Sequence, residues 1–172
     1  VFTNAQVSDE SLPSIGVVQW RALHRSFVRQ QQLWHLLFVL AALIGALVFR
    51  PLAHLPALAS GAIAVGFVAL AVLYLLWPTI DFPRRGYALR EHDMLHKHGV
   101  LFRTLTAVPF NRIQHVEISN SPLDRWFGIG SLKLFTAGGS GGDLTINGLP
   151  LDRAEQLREH VLGKIGAAVE RD

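Results

Sequence analysis

The chain has 172 residues, half of them hydrophobic and only 17% charged, against about 25% charged in an average soluble domain. Its formal charge of +3 is split evenly between residues 1–32, Arg50 and residues 78–172, so no stretch has the concentrated basic surface of a nucleic-acid binder. With no cysteine, disulfides, thiol catalysis and Cys-ligated zinc are excluded.

The first 17 residues are polar and lack the apolar core of a signal peptide, so no cleaved targeting segment is expected. Residues 17–32 carry Val17, Trp20, Leu23, Phe27 and Val28 on one broad stripe, with Arg21, Arg25 and Arg29 recurring every four residues elsewhere. That pattern predicts an amphipathic helix. It lies either in the membrane interface, arginines at the phosphates, or with its apolar stripe on a folded domain. Residues 1–32 are thus a polar tail and an amphipathic segment.

The charge deficit is confined to residues 33–77, where Arg50 is the only formal charge. Runs at 33–49 and 55–77 are each suited to crossing about 30 Å of hydrocarbon, the first with a short extension into the interfaces. Pro51 and Pro56 stop one helix and start the next. The five residues Arg50 to His54 can only be a tight connection, which makes a transmembrane helical hairpin. Small residues recur four apart (Ala41 and Gly45, Ala42 and Ala46, Ala57 and Gly61, Ala62 and Gly66), a spacing that permits close helix packing. His35 is expected at headgroup level. Arg21, Arg25, Arg29, Arg84, Arg85 and Arg90 flank the hairpin on the side of the termini and Arg50 alone lies opposite. Both termini are therefore expected in the cytoplasm, in a multi-pass protein of the cell (inner) membrane.

Residues 78–172 switch to period-two patterning with regular turn signals. Strands are predicted at Tyr87 to Arg90, Met94 to His98, Leu101 to Val108, Ile113 to Ser119, Leu132 to Ala137 and Leu144 to Leu149. Ser121-Pro122-Leu123-Asp124 starts a short capped helix that Gly128 ends after about two turns. Asp152 and Glu155 form a capping pair for a last helix that aligns Ala154, Leu157, Val161 and Ile165 on one face. The fold class is membrane α + β: the hairpin, then an antiparallel barrel or strongly bent sheet closed by a C-terminal helix.

Chemical motifs are sparse. Gly138 to Gly142 reads G-x-S-x-G, but antiparallel strands flank it where a nucleophile elbow needs a strand-to-helix turn, so Ser140 is no nucleophile. His92, His96 and His98 with Asp93 could approach a metal, yet a partly exposed hairpin accounts for them better. No catalytic residue, metal site or cofactor is assigned. Arg103, Arg112, Arg125 and Lys133 could converge on an anion or pair with Glu117 and Asp124. Arg84 and Arg85, with Arg21, Arg25 and Arg29, are the candidate contacts to lipid headgroups.

Several stretches together resemble the bacterial pleckstrin-homology-like (bacterial PH domain) membrane proteins of the YdbS type. They are Gly86-Tyr87-Ala88-Leu89-Arg90, His98-Gly99-Val100-Leu101, Val108-Pro109-Phe110-Asn111-Arg112-Ile113-Gln114-His115-Val116, Ser121-Pro122-Leu123-Asp124-Arg125-Trp126-Phe127-Gly128 and Thr136-Ala137-Gly138. The resemblance implies a PH-like domain in the cytoplasm, anchored by two helices. It also implies a membrane complex with a larger relative carrying several such domains, and it implies no catalytic activity. A non-enzymatic, membrane-anchored binding or scaffold module is the expectation, with Trp126, Phe127 and Arg125 as partner contacts. Both rings could instead be buried. Recognition of anionic lipid is the alternative from another class, and an unrecognised hydrolase is the third.

Overall fold

Two helices, α1 (Ser26–Phe49) and α2 (Ala57–Asp81), run 24 and 25 residues and are long and apolar enough to cross a membrane. Leu36, Phe38, Ile44 and Leu47 of α1 and Val65, Leu70 and Leu73 of α2 all stand exposed. A helix pair apolar on its outer faces is at home only in lipid, where helices satisfy their own backbone groups. The computed structural model describes residues 18–49, 56–137 and 143–169. The expected connection Arg50 to His54, the N-terminal tail and the loop 138–142 lie outside them.

The hairpin is held near its domain end. Pro78 sits inside α2 and has no N–H to give the Tyr74 carbonyl four residues earlier. The His35 ring stacks on Tyr74 with centroids 3.9 Å apart, and its Nδ1 lies 2.8 Å from that carbonyl oxygen. A carbonyl can only accept, so His35 donates the hydrogen bond that Pro78 cannot. The glycines of the small-residue stripe make no close approach to the facing helix: a methyl group built on Gly45, Gly61 or Gly66 would meet nothing within 4 Å.

A 3₁₀ turn at Phe82–Arg84 leads to β1 (Gly86–Leu89), β2 (Asp93–His98) and β3 (Thr104–Pro109). A second sheet follows: β4 (Ile113–Ser119), a five-residue helix α3 (Pro122–Trp126), β5 (Ile129–Thr136) and β6 (Leu144–Pro150). The orders are β1-β2-β3 and β4-β5-β6, antiparallel throughout. Pro109 and the 3₁₀ turn Phe110–Arg112 interrupt the ladder where the chain passes between sheets, since proline cannot donate to a neighbouring strand. The closed-barrel option therefore gives way to the bent, two-sheet one. Helix α4 (Leu151–Val169) packs across β4, β5 and β6. Ala154, Leu157 and Val161 are fully buried against Leu132, Ile146 and Leu149, with Ile165 half-buried beside them.

Three local expectations need correction. Residues 18–24 are not helical, and Arg21 forms an antiparallel bridge to Tyr87. The apolar stripe finds its partners in the domain, with Leu23 and Phe27 buried, and the helix that begins at Ser26 continues unbroken into the apolar run. The third strand starts at Thr104, leaving Leu101 and Phe102 in the turn before it. Helix α4 starts at Leu151, so Asp152 lies in its first turn.

Gly148 of β6 fixes how α1 leaves the domain. Its φ is +77°, and a Cβ there would come within 2.6 Å of the Phe27 ring. The bare backbone lets Phe27 lie flat on the strand while the His24 N–H donates to the Gly148 carbonyl at 2.9 Å.

His96 of β2 is 5% exposed. Its Nε2 and the Nδ1 of His98 are buried with no hydrogen-bond partner among the described residues, and the two rings stack 5.1 Å apart. Burial first, then the nearby His98 and Arg85, push the His96 pKa down to about 4. The unfolded chain takes up this proton near pH 6.5 and the folded one only near 4. Stability is therefore complete above about 6.5 and is lost as pH falls toward 4, by about 3 kcal/mol in all.

Two measurements follow. The thermal midpoint of the full chain in detergent should fall between pH 7 and 5, and His96→Phe should flatten that slope; an equal slope in both would refute the assignment. His35→Phe should cost about 1 kcal/mol through the stranded carbonyl. It should cost almost nothing in a Pro78→Ala background, where residue 78 supplies the missing N–H. The same loss in both backgrounds would show that His35 acts by packing alone.

Candidate functional site

The groups able to recognise something gather where the helices meet the sheets. Asp81, the last residue of α2, is buried, and its Oδ2 accepts from Arg85 Nε at 2.5 Å. The Arg85 guanidinium lies 5.6 Å from the centre of the Phe27 ring. An ion pair four residues apart, closed over by an aromatic face, holds α2 to the start of α1. A crevice of about 150 Å³ opens beside it, lined among others by Gln31, His35, Trp77, Asp81 and Arg85. One carboxylate already neutralised by one guanidinium suits the crevice to holding the junction together.

On the other side of α1, Gln30 is buried and its amide donates to the Asp124 carboxylate. Asp124 also closes a capping box: its N–H donates to Ser121 Oγ at 3.1 Å and its Oδ2 accepts from the Ser121 N–H at 2.7 Å. The short helix α3 is thus pinned at the level of the first turns of α1. It is a single turn and a little more, shorter than expected, and has no room beneath it for two rings. Phe127 is half-buried and Trp126 is 77% exposed, their rings 5.5 Å apart. Arg125 is exposed beside them.

The expected headgroup arginines divide into two groups. Arg21, Arg25, Arg29 and Arg84 are exposed around the junction, Arg84 donating to the Ile80 carbonyl. Arg85 is turned inward onto Asp81 and Phe27. Of the cations that could have converged on an anion, Lys133 pairs with Glu117 across the β4–β5 ladder at 3.3 Å. Arg103, Arg112 and Arg125 sit exposed on different elements.

The histidines separate in the same way. His92 lies exposed in the β1–β2 turn while His96 is buried, and no group of three or more His, Asp or Glu suited to a metal occurs among the described residues. Ser140 falls outside the described residues. Its flanks, β5 and β6, are antiparallel, and Asp143 Oδ1 accepts from the Thr136 N–H at 3.0 Å across the base of the loop.

Several contacts at the junction escape a reading of the sequence. The Gln30–Asp124 bond joins residues 94 apart, and Phe27 on Gly148 depends on a backbone angle. A usable signal existed for one: a proline inside an apolar run leaves a carbonyl that some neighbour has to satisfy, and His35 was the one ionisable side chain in the partner run.

Comparison with known proteins agrees with this architecture. The model of the family described as bacterial PH domain matches residues 35–165. The "UPF0699 transmembrane protein YdbS" of Bacillus subtilis (strain 168) is 27% identical over 112 residues, covering 63% of this chain and 67% of that protein. No solved structure matches the chain. With the family match spanning most of the two helices, both sheets and much of α4, the chain belongs to the bacterial PH domain family and is a membrane-associated, PH-like protein.

Proposed function

We propose that this protein is a non-enzymatic binding and scaffold module. It is held at the cytoplasmic face of the inner membrane with both termini on that side, and it docks a protein partner within a membrane complex. The observation that carries the reading is Trp126. A large aromatic ring 77% exposed on a capped turn is the kind of residue that supplies most of the energy of an interface. A rigid mount removes the ordering cost that a mobile loop would incur on docking. Because Asp124 ties α3 to Gln30, the ring is offered close to the bilayer, which favours a partner that is itself membrane-bound. A larger relative with several PH-like domains fits that description. Arg125 and the half-buried Phe127 complete the contact.

A second reading, recognition of anionic lipid, is favoured by the four exposed arginines 21, 25, 29 and 84 around the junction. Each such cation near an anionic surface contributes about 1 kcal/mol.

Quantitative co-purification of the full-length protein from native membranes tests the first reading. Trp126→Ala should lower recovery of the specific partner about tenfold or more, as for a central interface residue, without lowering the thermal midpoint. Unchanged recovery from a folded variant would remove the proposal. For the second, changing the four arginines to glutamine should reduce the anionic lipid retained by the purified protein while leaving partner recovery intact.

A further inference from the structure

The turn between β2 and β3 presents an apolar tip that the fold itself does not use. Leu101 is 80% exposed and Phe102 88%, neither belongs to a strand, and Leu105 at the start of β3 continues the apolar surface. Gly99, at φ +104°, sets the shape of the turn, since a side chain there would run into the Phe102 carbonyl. The tip is held outward by a specific backbone path.

Strand directions decide where it points. Residues 21 to 26 run toward the membrane, because they feed directly into α1. Tyr87 pairs with Arg21 in antiparallel fashion, so β1 runs away from the membrane. Strand β2 is antiparallel to β1 and returns toward it, with Lys97 opposite Gly86, the first residue of β1. Residues 98 to 103 therefore lie beyond Gly86 on the membrane side, and at about 3.3 Å per residue the turn reaches roughly 10 Å past it. Gly86 is itself only five residues from Asp81, where α2 ends.

Charge points to the same surface. No aspartate or glutamate occurs from residue 94 to 116, whereas Lys97 and Arg103 bracket the tip. Two large apolar side chains flanked by cations, on the side from which the apolar helices depart, match the interfacial layer of a bilayer containing anionic lipid.

We infer that the β2–β3 turn is a second membrane contact, separate from the helical hairpin. Leu101 and Phe102 enter the boundary between headgroups and acyl chains, and Arg103 lies at the phosphates. The helices anchor the chain, and the tip seats the sheets against the bilayer at a fixed orientation. The occupant of this surface is lipid.

The absence of native cysteine permits a direct test with the full chain in lipid nanodiscs. Leu101→Cys and, as a reference on the opposite end of β2, His92→Cys each carry one polarity-sensitive fluorophore. Both positions are exposed, so neither label needs the core to adjust. The probe at 101 should emit to the blue and lose roughly half its intensity to a quencher placed near the lipid headgroups, as a group at that depth would. The probe at 92 should respond only to aqueous iodide. Replacing anionic lipid with neutral lipid should weaken the difference, and Arg103→Gln should mimic that change. Equal access of iodide to both probes would overturn the inference. So would a probe at 101 shielded from iodide but untouched by the lipid quencher, which would mean that a protein or a second copy covers the tip.

Discussion

Lipid offers no hydrogen bonds, so every polar backbone group at the edge of an apolar helix must find its partner within the protein. At the junction this requirement falls on the domain end of α2, while the segment before α1 and the strands pair with one another. The Tyr74 carbonyl freed by Pro78 is taken by His35, the Gly148 carbonyl by the His24 N–H, and the Tyr87 backbone by Arg21. These bonds tie the entering segment to both sheets and the first helix to the second. The position of the whole PH-like domain over the hairpin follows from them.

Part of the chain's positive charge is already paired within the fold. Arg85 is committed to Asp81, Lys133 to Glu117 and Arg90 to Asp93. The half-exposed Lys133 pair contributes at most about 1 kcal/mol. Burying a large aromatic or aliphatic side chain contributes about 1.5–3 kcal/mol. On that comparison, burying exposed Trp126, Leu101 or Phe102 at the proposed contacts would contribute more than any one arginine.

Much of this was legible in the sequence, for identifiable reasons. The apolar runs announced themselves by length and by the lack of charge around Arg50. The capping box at Ser121 and Asp124 and the stripe Ala154, Leu157, Val161 are local patterns with local causes. The segment before α1 misled because amphipathic spacing says that Leu23 and Phe27 need an apolar neighbour without saying which. The partner was Gly148 and its strand, far along the chain. Leu101 and Phe102 read as the start of a strand because apolar residues are normally assigned to buried structure, and nothing local distinguishes an apolar residue meant for another surface. For Trp126 and Phe127 the sequence left open whether both rings are buried, and the shortness of α3 leaves Trp126 exposed.

One consequence of the unbroken first helix concerns mechanics. Between Phe27, seated on the sheet, and the apolar run there is no hinge, and α2 joins β1 through a single tight turn. The tilt of a membrane helix follows the thickness of the hydrocarbon around it. In this protein that tilt is geared directly to the pitch of the sheets. A change in bilayer thickness would therefore act on the sheets as a torque, which the β2–β3 turn, seated among the headgroups as inferred above, would resist.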